Sequence, residues 1–330
     1  MNEKRGFLAL LIWVGLLASS PGWAAFKVAL VLDKGGKDDK SFNSAAYAGA
    51  NRARDELHFF LKFVEASDDN SFEPLIRSFS QKDFDLIIAI GVSQAEALKK
   101  VAQAFPAKHY AIVDAEVNLP NVRSLLFEEH EGSYLVGAAA ALASKSAHVG
   151  FIGGMDIPLI RRFELAYVAG AKKINPKIKT TSNFIGISGE AWNNPAKAKE
   201  LAVSQYDSGT DVIFAAAGAS NTGVFDAAEE KKKLAIGVDS NQNWIKPGFI
   251  LTSMLKRVDV AVQQACEDMA KAKFEGGTRR FGLKNEGIDF AVDQYNQTIL
   301  TSAARTKLAE LKAEIISGKI KVPDYYQTRK

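Results

Sequence analysis

Cysteine occurs once, at Cys266, and histidine only four times. A single cysteine excludes an intramolecular disulfide and a thiolate metal cluster. The histidines, His58, His109, His130 and His148, lack the paired spacing of a metal site, so no metal and no cofactor are expected. Neither sign of charge dominates: 42 Lys and Arg against 38 Asp and Glu leave a net charge of +4, too mild to imply a nucleic acid or an anionic membrane as partner. Low-complexity tracts and Pro-rich linkers are absent. The motifs of nucleophilic and phosphate chemistry are missing too. Gly91-Val92-Ser93-Gln94-Ala95 lacks the second glycine of a Gly-x-Ser-x-Gly turn. Gly35-Gly36-Lys37-Asp38 lacks the Ser/Thr and the earlier glycine of a P-loop, and Gly150-Phe151-Ile152-Gly153-Gly154 does not fit Gly-x-Gly-x-x-Gly.

What is present is an ordinary globular composition, 47% hydrophobic and 24% charged, over 330 residues, a length that suits two lobes. At its start, Lys4 and Arg5 precede an apolar run from Phe7 to Ala18, and Gly22-Trp23-Ala24 places small residues where a signal peptidase reads. Residues 1–24 are therefore expected to be a signal peptide, the apolar run being short for a membrane span. Cys266 lies far from that cleavage site, in the helical pattern Val260 to Ala270, so no cysteine follows the leader to take a lipid. The expected product is a soluble periplasmic protein that begins near Ala25.

The chain is organised around the stretch Val28 to Asn43. Val28-Ala29-Leu30-Val31-Leu32 has the length and apolar continuity of a buried parallel strand, and it breaks at Asp33 into a loop carrying Gly35-Gly36 and Asp38-Asp39. Similar runs end on Gly91, Asp114, Gly218 and Asp239, with helical patterns between them. This alternation predicts doubly wound parallel sheets, and its restart after Glu131 predicts two α/β units in series. Carboxyl ends of parallel strands line one crevice, so Asp33, Asp114, Gly218 and Asp239 are candidate site residues. Phe42 and Trp192, aromatics flanked by polar loops, are candidates to stack on a ring. The inventory of carboxylates, an amide and aromatic rings suits holding a polar, ring-containing small molecule.

Asp33 with Asp38-Asp39-Lys40-Ser41-Phe42-Asn43 resembles the signature of the basic membrane protein family, the nucleoside-binding proteins of ABC importers. The likeness continues through Ala111-Ile112-Val113-Asp114, Glu131 to Gly137, Val149 to Met155, Ala216-Ala217-Gly218, Ile236-Gly237-Val238-Asp239 and Lys256, in order along nearly the whole mature chain. It implies a type I periplasmic binding protein fold, two doubly wound lobes joined by three crossings. On that pattern the first lobe takes residues 25–127 and 250–278, and the second takes 128–249 and 279–330. The resemblance further implies that Phe42 and Trp192 sandwich a base, that Asn43 and Asp114 bond its edge, and that Asp33, Gly218, Asp239 and Lys256 face the ribose. A nucleoside ligand, with purine nucleosides such as inosine, guanosine and adenosine foremost, and an inner-membrane ABC permease are the implied partners of a monomer that is not an enzyme. Trp192 stands where the family more often has Phe, and the family's lipid-bearing cysteine is absent.

A different class of function, a nucleoside hydrolase, also gathers aspartates after a first strand. It would need an Asp-x-Asp start and a following Asp-Asp pair to hold calcium. Here Val31 stands in place of the first aspartate, and Asp38-Asp39 lies one residue too far along. A sugar-sensing repressor of related fold would need an N-terminal helix-turn-helix, where this chain has its apolar leader.

Overall fold

The structure, a computed structural model, describes residues 26–328; the leader expected at 1–24 and its cleavage near Ala25 lie outside them. The first half alternates as the apolar runs require: β1 (Lys27–Leu32), α1 (Phe42–Leu57), β2 (Phe60–Glu65), α2 (Phe72–Ser80), β3 (Leu86–Ile90), α3 (Ala95–Ala104), β4 (His109–Val113) and β5 (Val122–Phe127). The second half repeats the pattern with α4 (Glu129–Ala143), β6 (His148–Met155), α5 (Pro158–Ile174), β7 (Lys179–Gly186), α6 (Pro195–Asp207), β8 (Val212–Ala216), α7 (Asn221–Lys231), β9 (Leu234–Asp239) and β10 (Ile250–Lys256). The chain then runs through α8 (Val258–Ala270), β11 (Gly277–Phe281), β12 (Ile288–Phe290) and α9 (Ser302–Ile316).

Two six-stranded sheets result, in the orders β11-β5-β4-β3-β1-β2 and β12-β10-β9-β8-β6-β7. Strands covered on both faces must be apolar throughout. In β1 the side chains of Val28, Leu30 and Leu32 enter a core shared with α1 and α8, while Ala29 and Val31 enter another with Phe72, Ile76 and Leu98. The first of these cores continues through Phe127, Leu135 and Met254 into the second lobe. One apolar seam therefore joins the two halves.

The chain passes between the sheets at Phe127–Glu129, at Lys256–Val258 and at Phe281–Ile288. Two sheets of matching strand order, parallel except where β12 runs antiparallel to β10, with three crossings between them constitute the type I periplasmic binding protein fold. The boundaries differ from those expected. The segment 250–278 is expected whole in the first lobe, yet β10 pairs in parallel with β9 of the second sheet, from Ile250 opposite Ala235 to Leu255 opposite Asp239. The connection 240–249 holds only a short 3₁₀ turn, Asn243–Ile245, and the strand that follows takes the open edge of β9. Conversely, Arg279–Phe281, expected in the second lobe, belong to β11, which pairs with β5 of the first.

Candidate functional site

In each sheet the order reverses at one place, between β1 and β3 in the first and between β6 and β8 in the second. Chains leaving neighbouring strands at such a point diverge to opposite faces and open a crevice beyond the carboxyl ends. The two crevices face one another and enclose about 600 Å³ of empty space, the part continuous with solvent included. All eight residues singled out from the sequence, Asp33, Phe42, Asn43, Asp114, Trp192, Gly218, Asp239 and Lys256, line this one cavity.

Asp33 follows β1 and is held from two sides. Its backbone N–H donates to Asn43 Oδ1 at 3.0 Å, and Asn43 Nδ2 donates back to its carbonyl at 3.4 Å. Gly91, at the end of β3, has φ +115°, and a Cβ there would lie 2.6 Å from Asp33 Oδ2. Only glycine meets both conditions. Burial pushes the Asp33 carboxyl up to about 6, against the pull of the Lys34 N–H and ammonium. The expectation that Asn43 serves a ligand edge is thereby narrowed: its amide locks the backbone of Asp33, and one N–H remains.

Asp39, expected as part of the loop and the signature but not as a site residue, has a task of its own. Its carboxylate accepts the backbone N–H groups of Ser41, Asn43 and Ser44 at 2.8–3.0 Å, capping α1 and thereby placing Phe42 at the cavity wall. An acidic residue just ahead of a helical pattern was the available signal. Asp38 instead points outward beside Lys37. The pair therefore presents no joint oxygen site of the sort a hydrolase's calcium would need.

Asp114 and Asp239 end β4 and β9 with φ of 70° and 64°. This left-handed region is sparsely populated by residues with a Cβ, and Asp is among those that enter it most readily. Asp239 Oδ2 accepts from Ser41 Oγ at 2.6 Å, and burial pushes its carboxyl up to about 6. Asp114 Oδ2 accepts from Lys256 Nζ at 2.6 Å, while its Oδ1 is buried without a partner. Burial pushes Asp114 up to about 7, with Lys256 pulling the other way. Lys256, at the end of β10, also lies 3.1 Å from Glu129 and about 5 Å from the ring centres of Phe42 and Phe127. Burial alone would lower its pKa; Asp114, Glu129 and Asp239 reverse this and keep the ammonium charged. Asp114, expected at a base, and Lys256, expected at a sugar, thus form one ion pair at the cavity wall.

Trp192 sits in a single 3₁₀ turn, Gly189–Asn193, pinned by Ser220 Oγ donating to the Ala191 carbonyl at 2.8 Å. Its ring lies against Gly154, where any side chain would collide with it. Sequence reading missed the apolar wall that Leu159, Ile160 and Phe163 of α5 contribute. The helix begins with Pro158 just after β6, at the second switch point, and that position was the clue. Among the described residues, Glu128, His130 and Asp324 bring three possible metal ligands together. The guanidinium of Arg162 already occupies oxygens of both carboxylates, at 2.6 and 2.8 Å. Burial, with Arg162 beside it, lowers the pKa of His130.

A family model described as Bmp, ABC transporter substrate-binding protein PnrA-like, matches residues 26–325. The chain is 34% identical over 320 residues to the ABC transporter nucleoside-binding protein BmpA of Lactococcus lactis subsp. cremoris, covering 90% of this chain and 89% of that one. It is 30% identical over 325 residues to basic membrane protein D of Borreliella burgdorferi, covering 96% and 94%. The solved structure of an ABC transporter solute-binding protein from Aeropyrum pernix superposes with a TM-score of 0.83 at 29% identity, covering 90% and 94%.

Proposed function

Because the chain belongs to the Bmp family of PnrA-like ABC transporter substrate-binding proteins, we propose that its cleft binds a nucleoside and delivers it to an inner-membrane permease. The observation that carries this reading is the meeting of Phe42, Trp192 and three buried carboxylates in one cavity between the lobes. Phe42 comes from the first lobe and Trp192 from the second, so a flat base between them would be gripped as the lobes close. Stacking on an aromatic side chain contributes about 1–3 kcal/mol per base and tolerates any base.

Selection then falls to the polar groups. Ionised carboxylates only accept hydrogen bonds, so Asp33, Asp114 and Asp239 favour a ligand rich in donors, such as a base bearing N–H and a ribose bearing two hydroxyls. The free oxygen of Asp114 and the remaining N–H of Asn43 serve the base edge; Asp33, Gly218, Asp239 and the third N–H of Lys256 serve the sugar. The same carboxylates repel a 5′-phosphate, so nucleosides are favoured over nucleotides. Purine nucleosides, inosine, guanosine and adenosine, are the first candidates. The mature protein works in the periplasm after cleavage near Ala25, as a monomer that transports and does not hydrolyse its ligand. Mass spectrometry of small molecules released from the purified protein tests the reading: a nucleoside is expected, and a sugar, an amino acid or a nucleotide in its place overturns it.

A further inference from the structure

Behind the ligand cleft lies a second cavity, and Asp114 and Leu159 border both. Its floor is a chain of buried charges. Arg162, on α5, is 3% exposed, and all five of its N–H groups are engaged. Nε donates to Asp324 Oδ1 at 2.8 Å; Nη2 donates to Asp324 Oδ2 at 3.1 Å and to Glu128 at 2.6 Å; Nη1 donates to Glu129 at 2.5 Å and to the Phe127 carbonyl at 2.6 Å. Asp324 lies beyond α9, in the tail, so the last part of the chain returns to the first crossing between the lobes. Tyr326 covers the guanidinium, its ring centre 5.2 Å away.

The chain continues toward the cleft. Glu129, 1% exposed, gives Oε2 to Arg162 and Oε1 to Lys256. Lys256 in turn holds Asp114, whose other oxygen is unpartnered. Asp324, Arg162, Glu129, Lys256 and Asp114 thus alternate in sign from the tail to the cavity wall. The guanidinium also sits on the helix whose Leu159, Ile160 and Phe163 form that wall.

We propose that Asp324 is a positioning residue for the ligand cleft: by engaging two of Arg162's N–H groups in a planar, two-point contact, it keeps Glu129 aligned on Lys256 and Lys256 aligned on Asp114. A two-point carboxylate–guanidinium pair fixes orientation as well as distance. Without it, the two freed N–H groups turn toward Glu128 and Glu129, the nearest remaining acceptors. Glu129 is drawn away from Lys256, and the ammonium shifts with respect to Asp114. The inference rests on the cleft being the nucleoside site.

The test is a double-mutant cycle on the full mature protein, read by calorimetric titration with inosine. Asp324→Asn is expected to weaken binding by about 2- to 30-fold, the range of couplings carried through packed polar networks. Asp324→Glu, which retains the charge and both oxygens, is expected to recover most of the loss. In an Asp114→Asn background the further effect of Asp324→Asn is expected to fall below about twofold, since independent distant sites would simply add. An Asp324→Asn protein with the parent's affinity overturns the proposal, and so does an equal fold-change in both backgrounds. Asp324→Ser replaces Asp324→Asn in the cycle if the latter does not fold. Phe42→Ala separates the positioning role from the cleft assignment. If it weakens inosine binding and Asp324→Asn does not, the positioning role alone falls; if neither matters, the cleft assignment falls with it.

Discussion

Ser41 Oγ donates to Asp239 Oδ2 at 2.6 Å, and the two residues belong to opposite lobes. Ser240 Oγ returns a bond to the Ser41 carbonyl at 2.8 Å, and Gln242 Nε2 reaches the Lys40 carbonyl at 3.0 Å. The loop that Asp39 organises is therefore one side of the interlobe seam as well as the carrier of Phe42.

If the seam stabilises the closed form, Ser41→Ala should weaken nucleoside binding. A hydrogen bond to a charged group contributes about 1.5–3 kcal/mol, and this one joins the two lobes. Calorimetry gives the affinity and small-angle scattering gives the compaction on adding inosine. Unchanged affinity and unchanged compaction would show that the seam does not stabilise closure.

Replacing either ring isolates stacking. Phe42→Ala and Trp192→Ala are each expected to cost about 1–3 kcal/mol with little change in the ranking of inosine, guanosine and adenosine. Asp114→Asn should differ, because it adds a donor where there was only an acceptor and removes the partner of Lys256. Competition among the three nucleosides on the three variants distinguishes stacking from edge recognition. A ring variant that reorders the three would contradict the assignment.

Acidity should move stability and affinity in opposite directions. Asp33 and Asp239 are raised to about 6 and Asp114 to about 7 by burial. A carboxyl raised in the folded state binds its proton more tightly there than when unfolded. Between about pH 4, the ordinary carboxyl range, and pH 7, these groups therefore lower stability as pH rises. In the proposed site they accept hydrogen bonds from the ligand, so affinity should fall as pH drops from 7 to 5. Thermal unfolding without ligand and calorimetry with inosine, both at pH 5, 6 and 7, check the two trends. Asp239→Asn should flatten part of each. Affinity that rises on acidification would contradict the acceptor role.

Much of this could be read along the chain because it is local. An unbroken apolar run that stops at Asp33, Asp114 or Asp239 states both a buried strand and the residue at its carboxyl end, and each of these carboxylates reaches the cavity. What could not be read depends on partners far away in sequence. Lys256 and Asp114 are 142 residues apart, and Arg162 and Asp324 are 162 apart. Nothing in the local pattern of either member names the other. The sheet to which β10 belongs is hidden from the sequence for the same reason: a short apolar strand fits either open edge until the pairing of Ile250 with Ala235 decides it. Asn43 shows a subtler limit. Its polarity and position marked it as a site residue, yet its amide is turned on the backbone of Asp33, a choice set by the curl of the loop through Gly35 and Gly36.

In the proposed function the cleft between Phe42 and Trp192 takes a nucleoside with a free sugar. Calorimetric titration of the mature protein with inosine, hypoxanthine and inosine 5′-monophosphate tests it most directly. Inosine is expected to bind, hypoxanthine to bind more weakly for want of the ribose, and the monophosphate to lose at least ~10-fold through repulsion by the cleft carboxylates. Phe42→Ala is expected to weaken the inosine interaction. Binding of the monophosphate as tightly as inosine, or release of free ribose during the titration, would contradict it.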